Sequence, residues 1–167
     1  MSRGFVKEDD QEEVPIVPQR AYLPEGVTNF VTPAGMEQLL AEKEMLINEK
    51  DSIGGTNENE KRIALNFINA KLQLLNSRIA GARVVDLTEQ PKNEIRFGAM
   101  VTLKTEVSGN IQIFQITGVD EANIAKGKIS FISPLARAMI NKKVGDKITL
   151  KRDREDLVYK IMDINYR

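Results

Sequence analysis

The sequence predicts an α+β protein, an N-terminal antiparallel helical hairpin (a coiled coil) followed by a C-terminal antiparallel sheet domain carrying one short helix. Two observations predict this. From Met36 to Ala82 the apolar residues recur at spacings of three, four and seven, the period of helices with one apolar stripe. From Phe97 onward they fall in short runs rich in Val, Ile and Phe, divided by turn formers such as Ser108-Gly109-Asn110, the pattern of strands. A chain of 167 residues is long enough for one domain or two small ones. The pattern divides it into a flexible acidic arm over residues 1–30, the hairpin over 31–90 and the sheet domain over 91–167.

The arm mixes Glu8, Asp9, Asp10, Glu12 and Glu13 with Pro15, Pro18 and Pro24, and has few large apolar neighbours whose burial would offset the entropy of ordering. At Thr32-Pro33 a side-chain oxygen is placed to accept from the first free amides, and proline at the first helical position loses no hydrogen bond. The helix that follows carries Leu39, Leu46 and Ile53 every seventh residue, widened by Met36, Leu40 and Ile47. Gly54-Gly55 ends it. Asn57, with Glu60 three residues on, has the form of a capping box for a second helix. In that helix Leu65, Ile68, Leu72, Leu75, Ile79 and Ala82 alternate spacings of three and four, the seam of a coiled coil in need of a partner. The nearest partner is the first helix, joined by a short turn.

Five strands are expected at Met100–Leu103, Ile111–Val119, Lys128–Ile132, Lys147–Leu150 and Leu157–Ile164. Between the third and fourth, Ser133-Pro134 repeats the cap-then-proline opening, and Leu135, Ala138 and Met139 give the short helix an apolar face.

Composition limits the chemistry. With no cysteine and no histidine, the chain forms no disulfide and no thiolate or imidazole metal site, and it lacks the usual activators of a hydrolytic nucleophile. Any metal must sit on carboxylates. The 24 positive and 24 negative groups cancel overall but not locally, residues 1–57 carrying a net −6 and residues 92–167 a net +5. So mild a basic surplus more often solubilises than binds nucleic acid. No apolar run reaches the length of a membrane span, and charges stand where a signal peptide would have its apolar core, so a cytoplasmic protein with no membrane partner is expected.

The hairpin followed by Ser133-Pro134-Leu135-Ala136-Arg137-Ala138 and Lys143-Val144-Gly145-Asp146 resembles the bacterial Gre transcript-cleavage factors, GreA and GreB. The likeness covers roughly residues 30–167 and includes Thr32-Pro33-Ala34-Gly35, Ala82 to Asp86, Phe97 to Val101 and Val119-Asp120-Glu121. It implies an FKBP-like C-terminal domain that docks on bacterial RNA polymerase, and a coiled coil that enters the secondary channel. It also implies acidic tip residues that help the polymerase's own nuclease activity cleave backtracked RNA, so the chain is an accessory factor and not itself an enzyme. By resemblance, Glu58 and Glu60 are the tip carboxylates, ligands of a metal only within a polymerase complex, with Mg²⁺ shared with the polymerase active site and no cofactor bound tightly. Ser133, Pro134 and Arg137 are the implied docking residues. Lys61, Arg62 and Lys71, among the hairpin's basic groups, are the implied contacts to nascent RNA or polymerase.

Three departures accompany the likeness. Gly55 stands where the family tip has an Asp, Ile132 where the family often has an acid, and the arms read about two turns shorter, which at about 5.4 Å per turn withdraws the tip by about 10 Å. On the residues alone, acids at a helix N-terminus also satisfy the helix dipole without any catalysis. Three alternatives stand beside cleavage stimulation: a non-cleaving modulator in the secondary channel, an FKBP-like prolyl isomerase, and a homo-oligomer with a structural role. The oligomeric state is open.

Overall fold

In the computed structural model, which describes residues 15–55 and 57–167, each expected helix starts at its cap. Helix α1 runs Pro33–Asp51, with Thr32 Oγ1 accepting from the Gly35 amide at 2.9 Å. Helix α2 runs Glu58–Ala80, with Asn57 Oδ1 accepting from the amides of Asn59 and Glu60 at 2.9 and 3.3 Å. Helix α3 runs Pro134–Met139, and Ser133 Oγ accepts from the Ala136 amide at 3.2 Å. These short polar side chains satisfy amides that the helix cannot.

α1 and α2 pack antiparallel around Leu39, Leu46, Ile68 and Leu75, which are buried together with Val31. At about 1.5 Å per residue α1 makes a rod about 28 Å long. Ala82, expected to be the last position of the α2 seam, lies instead beyond the break at Gly81. It begins strand β2 (Ala82–Val84), which pairs in parallel with β1 (Asn29–Val31). The rod thus stands on a two-stranded base.

The C-terminal half is a five-stranded sheet in the order β5-β4-β3-β7-β6. Its strands are β3 (Met100–Thr105), β4 (Ile111–Thr117), β5 (Lys128–Ser130), β6 (Lys147–Leu150) and β7 (Leu157–Asn165). Three of the pairings are antiparallel, as expected. The fourth, β4 with β5, is parallel, because the chain from Gly118 to Gly127 crosses back before β5 starts. α3 covers one face, where Ala136 and Met139 are buried against Val101, Leu103, Ile116, Ile148 and Ile161.

The two halves meet over close contacts. Phe30 of β1 sits against Phe97 and Phe131 of the sheet domain, with ring centroids 6.0 and 5.8 Å away. A Cβ on Gly118 would lie 2.5 Å from the Phe30 carbonyl oxygen, so only glycine lets β1 approach there. Glu121, its side chain only 3 % exposed, reaches the N-terminus of α1. There it accepts from Thr32 Oγ1 at 2.5 Å and pairs with Lys128 Nζ at 3.2 Å. A carboxylate at a helix N-terminus is favoured by the unpaired amides and the dipole. Of the expected flexible arm, residues 1–14 lie outside the described residues. Within residues 15–30, Asn29 and Phe30 belong to β1 and Arg20 is held between the two halves. The partners that order this stretch are distant in sequence, so its polar composition gave no sign of them.

Candidate functional site

The far end of the rod is built by a turn and a cap. α1 closes at Ser52, whose amide and hydroxyl both donate to the Asn48 carbonyl, at 3.0 and 2.8 Å. Gly55 adopts φ 139°, a value side chains disfavour. Asn57 then opens α2 with Glu58 and Glu60 in its first turn. Both carboxylates are exposed, as are Asp51, Gly54 and Gly55. On a helix of 3.6 residues per turn, positions two apart diverge by about 200°, so Glu58 and Glu60 point to different sides. Among the described residues no group of three or more acidic side chains is placed to hold a metal ion. The tip offers single carboxylates, each an anionic oxygen acceptor in water.

The basic residues of the hairpin do not form one patch. Arg62 donates to Asn59 Oδ1 at 2.9 Å and stays by the tip. Lys71 lies mid-rod with its ammonium 4.7 Å from the centre of the Phe67 ring, a cation–π contact. Nine residues separate the two, which places them on opposite sides of α2. Lys61 neighbours Arg62 but is turned about 100° away from it.

Ser133, Pro134 and Arg137 are brought together on one turn. The Arg137 amide donates to the Ser133 carbonyl at 3.0 Å, and Pro134 and Arg137 are exposed while Ala136 and Met139 face the core. Ser133 also caps α3, so its hydroxyl has a structural use whatever else it does. Beside this turn, Ile132 is half-buried and offers no charge.

The joint contains residues that the sequence did not mark as functional. Arg20 forms a two-pronged bond to Glu42 of α1, Nη1 and Nη2 to the two carboxylate oxygens at 2.8 and 3.0 Å, while its Nε donates to Asp120 Oδ1 at 3.1 Å. The second oxygen of Asp120 accepts from Arg78 of α2 at 3.3 Å, and Arg78 also donates to the Ala21 carbonyl. The hydrogen bond to Glu42 is the main influence raising the pKa of Arg20 above its usual value, against some opposing desolvation. Asp120 is 100 residues from Arg20. Its only trace in the sequence is its place in Val119-Asp120-Glu121.

The aromatic residues of the C-terminal half are used in packing. Phe97 and Phe131 pack on Phe30 and on each other, Tyr159 is buried, and Phe114 and Tyr166 lie against the core. A ring-lined pocket for proline would need some of them free. Among the described residues no helix is long and apolar enough to cross a membrane.

A family profile described as "Transcription elongation factor, GreA/GreB, C-term" matches residues 90–166. A transcription elongation factor GreA of Francisella philomiragia is 34 % identical over 153 residues, a match covering 82 % of this chain and 96 % of that one. That of Thermodesulfovibrio yellowstonii is 32 % identical over 151 residues, covering 81 % and 96 %. Among solved structures, a prokaryotic transcription elongation factor GreA/GreB from Nitrosomonas europaea is similar at 20 % identity with a TM-score of 0.42, covering 82 % of this chain and 98 % of that one. With relatives above 30 % identity matched over nearly their whole length, the chain belongs to the GreA/GreB transcription elongation factor family.

Proposed function

We propose that the chain is a transcription elongation factor that docks on bacterial RNA polymerase through its sheet domain, by Ser133, Pro134 and Arg137, and passes its hairpin into the secondary channel. One observation carries the reading. The exposed carboxylate of Glu58 stands at the end of a rod whose other end is fixed to the sheet domain by buried contacts. Such a rod delivers one anionic, proton-accepting oxygen to a distant active centre, and positioned acid–base groups accelerate by about 10²–10⁴-fold. The factor is an accessory to the polymerase's own cleavage of backtracked RNA. In this reading the metal is the polymerase's own, and Glu58 and Glu60 are its ligands only within the complex. In this reading Lys61 and Arg62, one turn from the tip, meet nascent RNA or the channel wall, whereas Lys71 is engaged with Phe67 lower on the rod.

The test is cleavage of nascent RNA in stalled, backtracked complexes with the purified protein. Wild type is expected to accelerate cleavage, Glu58→Ala to abolish the gain, and Glu60→Ala to lower it less. Gly55 in place of the family's tip acid favours a second reading, a channel-binding modulator without cleavage activity. That reading holds if wild type leaves cleavage unchanged yet binds polymerase and Pro134→Ala weakens the binding. Absence of polymerase binding overturns both.

A further inference from the structure

We propose that Arg20 is a positioning residue: with Asp120 and Arg78 it makes the N-terminal segment a strap that fixes the angle of the hairpin on the sheet domain. The inference rests on the reading that the hairpin must present its tip inside a larger enzyme.

Three elements that belong to different parts of the chain converge on one cation. Arg20, from the segment before β1, bonds Glu42 on α1 with both terminal nitrogens and Asp120 on the sheet domain with its Nε. Asp120, 7 % exposed, is shared with Arg78 on α2. The two arginine side chains are only 18 % and 17 % exposed, so solvent screens their bonds to Asp120 less than it would surface pairs. Removal of Arg20 leaves Asp120 still paired with Arg78 and Glu42 44 % exposed, so the loss falls on the geometry of the joint more than on an unpaired buried charge. Bonds in fork geometry also fix direction as well as distance. Arg20 therefore ties rod to foot along a line distinct from the Phe30 and Glu121 contacts, and a third tie stops rotation about the other two.

The reason such a tie matters is leverage. On a rod about 28 Å long, a tilt of about 20° at the base carries the tip about 10 Å. Misplacement of a reacting group by about 1 Å is enough to cost about 10²-fold in rate. β1 and β2, three residues each, are a narrow footing for that demand. The strap stiffens the footing before the polymerase is met.

The chain has no cysteine, so two introduced ones label cleanly. Spin labels at Glu49→Cys, near the end of α1, and at Thr149→Cys, on the exposed side of β6, report the rod-to-foot distance by pulsed electron resonance on the free protein. The expected result is one narrow distribution for the otherwise wild-type chain and a broadened or displaced one for Arg20→Ala, with the thermal midpoint little changed. Arg20→Lys keeps the charge but lacks the fork, and it should broaden the distribution nearly as much. An ordinary ion pair would instead be rescued by lysine. Unchanged distributions in both variants overturn the strap, as does a full rescue by Arg20→Lys. In the cleavage assay the strap predicts a fall of about tenfold or more in the maximal stimulated rate, while the half-saturating factor concentration moves little because the docking turn is untouched. A half-saturating concentration that rises with the rate unchanged contradicts it. Should wild type fail to act on polymerase at all, the elongation-factor reading falls and the distances alone decide the strap.

Discussion

The two ends of the hairpin use the same chemistry for opposite purposes. At the base, a Thr cap, two carboxylates and a glycine are buried or nearly so, and each has a partner across the joint: Thr32 with Glu121, Asp120 with Arg20 and Arg78, Gly118 with the Phe30 carbonyl. At the tip an Asn cap, two carboxylates and two glycines are all exposed, and a Cβ on Gly54 would meet nothing within 4 Å. Charge at the base holds the fold together. Charge at the tip contributes to the fold only through its attraction to an exposed helix N-terminus.

The sharpest way to break this contrast is to delete apolar mass at each end. Leu75 is fully buried in the lower half of α2, whereas Ile63, one turn into the helix, is 59 % exposed. Leu75→Ala should cost about 2–5 kcal/mol, from lost burial and the cavity left behind. Ile63→Ala should stay within about 0.5 kcal/mol. Urea unfolding of the two variants measures both, and equal losses would mean the rod is uniformly packed to its end.

The two caps sharpen it further. Asn57→Ala removes bonds to exposed amides that water can replace in part, a loss of about 1 kcal/mol. Thr32→Ala removes the equivalent bond and also the hydroxyl donor to Glu121, whose carboxylate is then buried short of a partner. A total of about 2–4 kcal/mol is expected, since a buried group left unsatisfied adds about 1–3 kcal/mol to the loss of the cap. A Thr32 loss no larger than that of Asn57 would show that the Glu121 contact contributes nothing.

Legibility in the sequence follows the same divide. The starts of α1, α2 and α3 were readable because Thr32-Pro33, Asn57 and Ser133-Pro134 act on amides two or three residues away, and the five strands announced themselves through local runs. The cap at the tip was readable for the same reason, since Asn57 acts on the amides of Asn59 and Glu60. The joint was not. Arg20 looked like one more charge in a polar arm, and its partners are 22 and 100 residues distant. The parallel pairing of Asn29–Val31 with Ala82–Val84 spans an entire hairpin, and three-residue strands carry too little alternation to be recognised. The separation of Lys71 from Arg62 was implicit in their spacing, but charge counting treated them together.

A smaller effect comes from exchanging the glycines. Gly118→Ala drives a methyl against the Phe30 carbonyl oxygen, and relief requires β1 to shift, at about 1–3 kcal/mol. Gly54→Ala meets open space and has an ordinary backbone angle, so it should be neutral or gain up to about 1 kcal/mol by restricting the unfolded chain. Thermal melts of the pair decide this. Destabilisation by both would mean that the tip turn is as constrained as the joint.

The substitution expected to cost the fold least is the one on which the proposed function depends most. Glu58→Gln keeps the size of the side chain and its place in the first turn of α2, and loses only the attraction of a carboxylate for an exposed helix N-terminus, about 0.3–1 kcal/mol. Its thermal midpoint should therefore lie close to wild type, and its binding to polymerase should be unaltered because the proposed docking residues Ser133, Pro134 and Arg137 lie on the other half of the molecule. Stimulated RNA cleavage should nevertheless fall by about 10²-fold, the worth of a positioned proton acceptor. If stability and cleavage fall together, Glu58 belongs with the structural charges of the base and the contrast between the two ends fails. If neither falls, the tip carboxylate is idle and the rod acts by occupancy of the channel.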